Sequence, residues 1–175
     1  PQFQYDEKEI NELQKLYVQG QKEVFKDKKF YPDANSTLRV AYGKVNDYKP
    51  KDGVQFDYYT TLDGIIEKEI PGDAEFNVPP KLKELYLKKD YGIYADKNGK
   101  LPVAFIASNH TTGGNSGSPV FNAKGELIGT NFDRNWEGTM SDIMYNPNQC
   151  RNITLDVRYT LFIIDKFAGA GYLLN

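Results

Sequence analysis

Histidine and cysteine, the side chains that most often hold transition metals or carry acid–base and redox chemistry, occur once each in 175 residues, as His110 and Cys150. One thiol forms no intrachain disulfide, and neither residue stands in a spacing of His, Cys and carboxylates that would build a metal site. No metal and no cofactor are expected. Long apolar runs are missing too: stretches such as Leu161 to Ile164 fall far short of the roughly 20 residues that span a bilayer, so the chain reads as soluble and without a membrane anchor. Basic excess is absent, since 24 acidic against 22 basic residues leave a net charge of -2. Such a surface has no field to hold a phosphate backbone, which excludes nucleic acid as a partner. No phosphate-cradling glycine loop opens a helix. Pro1 starts the chain with neither Met nor a signal peptide, as a piece cut from a longer protein would.

What is present is a polar helix followed by a β-rich remainder. Ile10, Leu13, Tyr17 and Val24 follow a helical stripe between Asp6 and Phe25. Pro32 and Asp33 signal a turn after it. Residues 1–30 are therefore expected to be a helical lead-in, the end of a preceding helical region, and residues 31–175 to be the β domain. Its predicted strands begin with Ser36 to Val45 and Val54 to Thr61, joined by a loop containing Pro50 and Gly53. Tyr91 to Ala95 and Leu101 to Ser108 predict a hairpin about Asn98-Gly99, with Asp96 to Gly99 as a plain turn rather than a calcium loop. Pro119 to Phe121 and Glu126 to Phe132 predict a second hairpin, and Ile153 to Tyr159 a last strand. Lys81 to Lys88 and Leu161 to Ala168 carry helical spacing. Short strands with peripheral helices predict a mainly β fold, an antiparallel barrel in preference to a parallel α/β sheet.

The chemistry concentrates in Thr111 to Val120, whose centre reads Gly114-Asn115-Ser116-Gly117-Ser118-Pro119. A serine nucleophile needs an exposed hydroxyl on a tight loop with backbone N–H groups aimed at the developing oxyanion. Gly114 leaves that pocket unblocked, and Gly117 lets the chain turn into the next strand. Taken alone, a Gly/Ser-rich run also fits a simple turn between strands. The strand, turn and strand that follow favour the nucleophile. They also disfavour the elbow of α/β hydrolases, which needs a helix after its serine and a glycine where Ser118 stands.

Gly-Asn-Ser-Gly-Ser-Pro between two strands resembles the C-terminal barrel of chymotrypsin-like peptidases. Thr112 to Val120, Gly125 to Gly129, Asn135-Trp136-Glu137-Gly138, Asp156 to Tyr159, Ile164-Asp165-Lys166 and the earlier Tyr58 to Gly64 narrow the likeness to the bacterial dipeptidyl-peptidase 7 and 11 family. The resemblance implies the C-terminal barrel of a double-barrelled, periplasmic serine exopeptidase acting on oligopeptides with a free N-terminus. A homodimeric parent is compatible with it. It implies Ser116 as nucleophile, Gly114 and Ser116 N–H groups as oxyanion donors, and a catalytic His and Asp in a part of the enzyme outside this sequence. The fragment alone is then inactive. Asn131, Phe132, Asp133, Arg134 and Asn135 fall on the substrate-lining segment. There Asp133 matches the residue that binds the substrate's α-amino group. Arg134 marks the branch specific for Asp and Glu, where the broad, hydrophobic-preferring branch has glycine, and its fork suits a carboxylate. His110 points to the floor of the specificity pocket rather than to the general base. Trp136 and Phe132 are expected as core or pocket-wall aromatics, Asp156 and Arg158 as a structural pair, and Asp142 outside the triad. A catalytically silent binding module is the rival from another class, since no usable His and Asp pair is visible.

Overall fold

A computed structural model describes residues 6–28, 30 and 36–174. The chain divides into two units, Pro1–Asp33 and Ala34–Asn175. In the first, helix α1 (Glu7–Val24) begins where Asp6 accepts from the N–H groups of Lys8 and Glu9, and Glu7 and Glu9 favour its positive N-terminal end. None of its residues is buried, the predicted apolar stripe included. The turn predicted at Pro32-Asp33 lies outside the described residues.

The second unit is mainly β, with two antiparallel sheets and several helices. Strands β1 (Tyr48–Lys51) and β2 (Val54–Phe56) pair around Gly53. Strands β3 (Tyr59–Thr61), β4 (Pro102–Ala107), β5 (Pro119–Phe121), β6 (Leu127–Arg134) and β7 (Asn152–Asp156) form a sheet in the order β3-β4-β7-β6-β5. Every pair is antiparallel. A closed barrel, the expected form, needs its outer strands to pair with each other. Among the described residues β3 and β5 remain the outer strands of an open sheet. A lone bridge from Val45 to Ala107 extends the β3 side of β4.

Several elements differ from those that the sequence predicts. The predicted strand from Ser36 keeps only that bridge: Leu38, Val40 and Tyr42 stand 95%, 81% and 87% exposed, with no sheet face to cover them. The pairing moved instead into the expected loop around Pro50, as β1. Tyr91 to Ala95 is no strand, because Gly92 takes φ 55 and a 3₁₀ turn (Gly92–Tyr94) sends Tyr91 and Tyr94, three apart, into the core. The Asn98-Gly99 turn forms all the same, with the Asp96 carboxylate accepting from the N–H groups of Asn98 and Lys100. The last strand ends at Asp156, which accepts from Arg158 N and starts helix α4 (Val157–Phe162) three residues before the predicted strand end. Asp156 and Arg158 do form a two-bond ion pair.

The core lies where helices α2 (Leu62–Glu67), α3 (Pro80–Lys88) and α4 meet the sheet. Leu62, Val78, Leu82, Leu85, Leu101 and Phe162 fill it, and Phe162 is fully buried between the rings of Tyr91 and Tyr159. Truncation of Phe162 to Ala loses an aromatic side chain and leaves a cavity, an expected cost of about 3–5 kcal/mol. Denaturant unfolding of the protein carrying this segment measures it, and a loss within about 1 kcal/mol would show that the stability of the unit does not depend on Phe162.

Candidate active site

The segment from Thr111 to Ser118 crosses the end of the sheet between β4 and β5. It is built of two successive turns. Asn115 N–H donates to Thr112 C=O at 3.2 Å, and Ser118 N–H donates to Asn115 C=O at 3.0 Å. The third residue of each turn is glycine with positive φ, 92° at Gly114 and 85° at Gly117, the signature of a type II turn and a conformation that side chains resist. Asn115 stiffens the first turn by accepting from Thr112 N–H at 2.8 Å. Ser116 is left exposed between the two glycines. Among the described residues the N–H groups of Gly114 and Ser116 donate no hydrogen bond.

Strand β6 holds this loop in place. Asn131 accepts from Gly117 N–H at 2.7 Å and donates its own N–H to Ser118 C=O at 2.9 Å. Its side-chain amide donates to Asn115 C=O at 3.2 Å and accepts from Asn152 at 2.9 Å, and Asn152 also reaches Thr154 Oγ1. The four polar groups of Asn131 are engaged and the residue is 5% exposed. It was expected to line the substrate; here it holds the loop from beneath, a role that the 16-residue separation from Asn115 hid. Asn152 Oδ1 is buried with no partner among the described residues.

One residue past Asn131 the strand bulges. Asn131 faces Thr154 and Asp133 faces Ile153, so Phe132 is one residue more than β7 can pair. Bulges of this kind bend a strand and re-aim its side chains. Here the bulge turns the carbonyl of Phe132 toward the loop, where it accepts the Ser116 hydroxyl at 3.2 Å. Phe132 is 46% exposed and so lies outside the core. Asp133 is exposed; one carboxylate oxygen accepts from Arg134 N–H at 2.8 Å, and among the described residues it enters no ion pair.

Arg134 is the most constrained of the group. Its Nη1 and Nη2 donate to the two oxygens of Asp142 at 2.9 and 3.0 Å, and Nη1 also donates to Thr111 C=O at 3.3 Å. The hydrogen bonds from Arg134 hold the Asp142 carboxyl below its ordinary value of 3.8 and push the guanidinium up, each opposed by partial burial. Asp142 ends the 3₁₀ segment Trp136–Asp142, which brings it eight residues back to the arginine; no spacing rule signals such a return. His110 joins the same cluster, its Nε2 3.0 Å from Ser141 C=O and its ring edge-on to Tyr145. A carbonyl only accepts, so Nε2 carries the proton. Trp136, expected in the core or on a pocket wall, stands 87% exposed because the 3₁₀ segment turns it off the sheet. A cavity of about 720 Å³ lies elsewhere, between Tyr58, Phe105, Ile128, Asp156 and Arg158, and no residue of the serine loop lines it.

Known proteins give this arrangement a family. Residues 2–175 match the peptidase S46 family, and the chain belongs to it. It is 61% identical over 173 residues to the Asp/Glu-specific dipeptidyl-peptidase of Flavobacterium psychrophilum, covering 98% of this chain and 24% of that protein. It is 53% identical over 163 residues to dipeptidyl-peptidase 7 of Phocaeicola vulgatus, covering 93% of this chain and 23% of the other. The crystal structure of Porphyromonas endodontalis DPP11 in complex with substrate superposes with a TM-score of 0.84 at 54% identity, over 92% of this chain and 24% of that one. The chain thus spans about a quarter of the length of the curated relatives it matches.

Replacing Asn131 with Ala strips the serine loop of its buried support, leaves Asn115 C=O without its side-chain donor and takes one of two acceptors from the Asn152 amide, an expected loss of about 1–3 kcal/mol. Thermal unfolding reads the loss. Amide exchange at Gly117 reads the loop directly, and unchanged protection there would show that backbone pairing alone holds it.

Proposed function

We propose that this chain is the nucleophile-bearing C-terminal part of a serine-type dipeptidyl peptidase that releases N-terminal dipeptides ending in Asp or Glu. One observation carries the reading. Ser116 Oγ lies 3.2 Å from the bulged carbonyl of Phe132, and the next two residues along the strand are an exposed carboxylate and a guanidinium. A nucleophile, an anchor for an ammonium group and a reader for an acidic side chain thus share one strand end.

Each residue has a role that its environment suits. Ser116 Oγ attacks the scissile carbonyl, while the unengaged N–H groups of Gly114 and Ser116 receive the oxygen as it becomes negative. Asp133, outside any ion pair among the described residues, has an oxygen to give the substrate's α-amino group. Arg134 binds the acidic side chain ahead of the scissile bond. His110, with Nε2 committed to Ser141, lines the pocket floor, and Phe132 its rim; the catalytic His and Asp come from the part of the enzyme outside this sequence. The open sheet is then the larger part of an antiparallel barrel, the second of a chymotrypsin-like pair, with residues 1–30 ending a preceding helical region. The family resemblance supports a periplasmic enzyme acting on oligopeptides.

A second reading, a broad-specificity enzyme like dipeptidyl-peptidase 7, draws on the 53% identity to such a relative. Arg134 favours the acidic reading, because with Asp142 and Thr111 bound its guanidinium still has Nε–H and one Nη2–H without a partner among the described residues, donors suited to a carboxylate.

Two measurements test the proposal. Without a general base a serine hydroxyl is a weak nucleophile, so the purified 175-residue chain leaves dipeptidyl chromogenic substrates uncleaved; steady turnover that Ser116→Ala abolishes would instead make His110 the base. In the full-length enzyme, Arg134→Gly lowers cleavage after Asp or Glu by about ten- to a hundredfold, the loss of a charge-assisted bond of about 1.5–3 kcal/mol, while cleavage after apolar residues holds or rises. A uniform loss for all substrates would mark Arg134 as structural.

A further inference from the structure

The five N–H donors of Arg134 can be followed one by one. Nη1 and Nη2 give one hydrogen each to Asp142, across the end of the guanidinium, and Nη1 gives its second to Thr111 C=O. Nε–H and the second Nη2–H remain. They lie side by side on the same edge of the planar group, and neither has a partner among the described residues. Two parallel donors on one edge are the fork that takes a carboxylate through both its oxygens.

The segment that carries Asp142 is also moulded to the stem of the arginine. A Cβ placed on Gly138 would stand 2.9 Å from Arg134 Cγ and 3.2 Å from Cδ. The 3₁₀ segment therefore touches the side chain twice, with bare backbone at its aliphatic stem and with a carboxylate at its charged end. Thr111 C=O, next to the pocket histidine in sequence, fixes the plane from a third direction.

We propose that Asp142 is the positioning residue of the acidic-specificity pocket: it holds the end of the Arg134 guanidinium so that the Nε and Nη2 edge is presented, already oriented, to the carboxylate of a substrate. This rests on the reading of Arg134 given above. An arginine side chain is long and rich in rotamers, and ordering it in advance removes that cost from the binding step. Asp142 also balances the guanidinium before substrate arrives. The arginine side chain is only 22% exposed, whereas Asp142 is 54% exposed, so solvent screens the acid from a second carboxylate on the far edge.

The opposite role, a carboxylate that occupies Arg134 and must be displaced, predicts an effect of opposite sign, and the test reads that sign. In the full-length enzyme, kcat/KM is measured for dipeptidyl substrates ending in Asp, Glu and Leu. The parent is compared with Asp142→Ala, Asp142→Asn and Arg134→Gly. Asp142→Ala lowers the acidic-to-apolar ratio by about tenfold or more, chiefly through KM for the acidic substrates, a difference of about 1.4 kcal/mol. Asp142→Asn lowers it less, because an amide oxygen still accepts one N–H. If Asp142→Ala misfolds by circular dichroism, Asp142→Asn reads the same ratio at unchanged size. A ratio that rises, or one that stays within about twofold of the parent, overturns the proposal. A ratio that collapses in Arg134→Gly but not in either Asp142 variant overturns this proposal alone. A ratio untouched by Arg134→Gly removes the reading of Arg134, and the role of Asp142 falls with it.

Discussion

At Phe132 strand β6 carries one residue more than β7 can pair, and the arrangement of the site follows from that surplus. Up to Asn131 the strand is an ordinary member of the sheet, its amide buried and tied to Asn115 and Asn152. Beyond the bulge the alternation of faces is reset: Phe132, Asp133 and Arg134 all leave the core, and a carbonyl that regular pairing would bind to β7 is turned to the Ser116 hydroxyl. The loop alone, however well its glycines fit its turns, would have no fixed position relative to the two charged residues.

The bulge has to rest on something that does not move, and the support is polar rather than apolar. Asn131, Asn152, Thr154 and Asp156 are all buried on β6 and β7. Buried amides cost free energy unless their hydrogen bonds are made, and here nearly all are. Directional bonds fix a register more narrowly than apolar contact does. The apolar core is kept apart, under α2, α3 and α4. The division suits a site whose loop must be held to within a fraction of an ångström, beside a core whose task is stability.

Charge is handled by the same economy. Arg151, 4% exposed, meets no carboxylate among the described residues but donates to the carbonyls of Asn46, Asp47, Pro147 and Cys150, pinning the approach to β1 against the approach to β7. Arg134 is treated differently, with one edge bound and one edge without a partner among the described residues. Arg151 thus spends its donors on fastening the backbone, whereas Arg134 keeps an edge that the described residues do not use.

Much of the local structure could be read from the residues themselves. The two positive-φ glycines, the helix after Pro79-Pro80, the turn at Asn98-Gly99 and the hairpin of β5 and β6 each depend on interactions within a few positions, which sequence pattern records. Where the reading failed, a distant partner was responsible. Apolar residues at Leu38 to Tyr42 had no sheet face to join, Tyr91 and Tyr94 followed the core instead of the pleat, and the outer strands did not close a ring among the described residues. Family motifs in Thr111 to Lys166 determined the kinship of the chain, because a glycine-flanked serine loop followed by Asn131 to Arg134 is a linear signal. The bulge at Phe132, the burial of Asn131 and the return of Asp142 to Arg134 were decided only by the tertiary structure. Each joins residues through hydrogen bonds across strands or turns, and such bonds leave no period in the sequence.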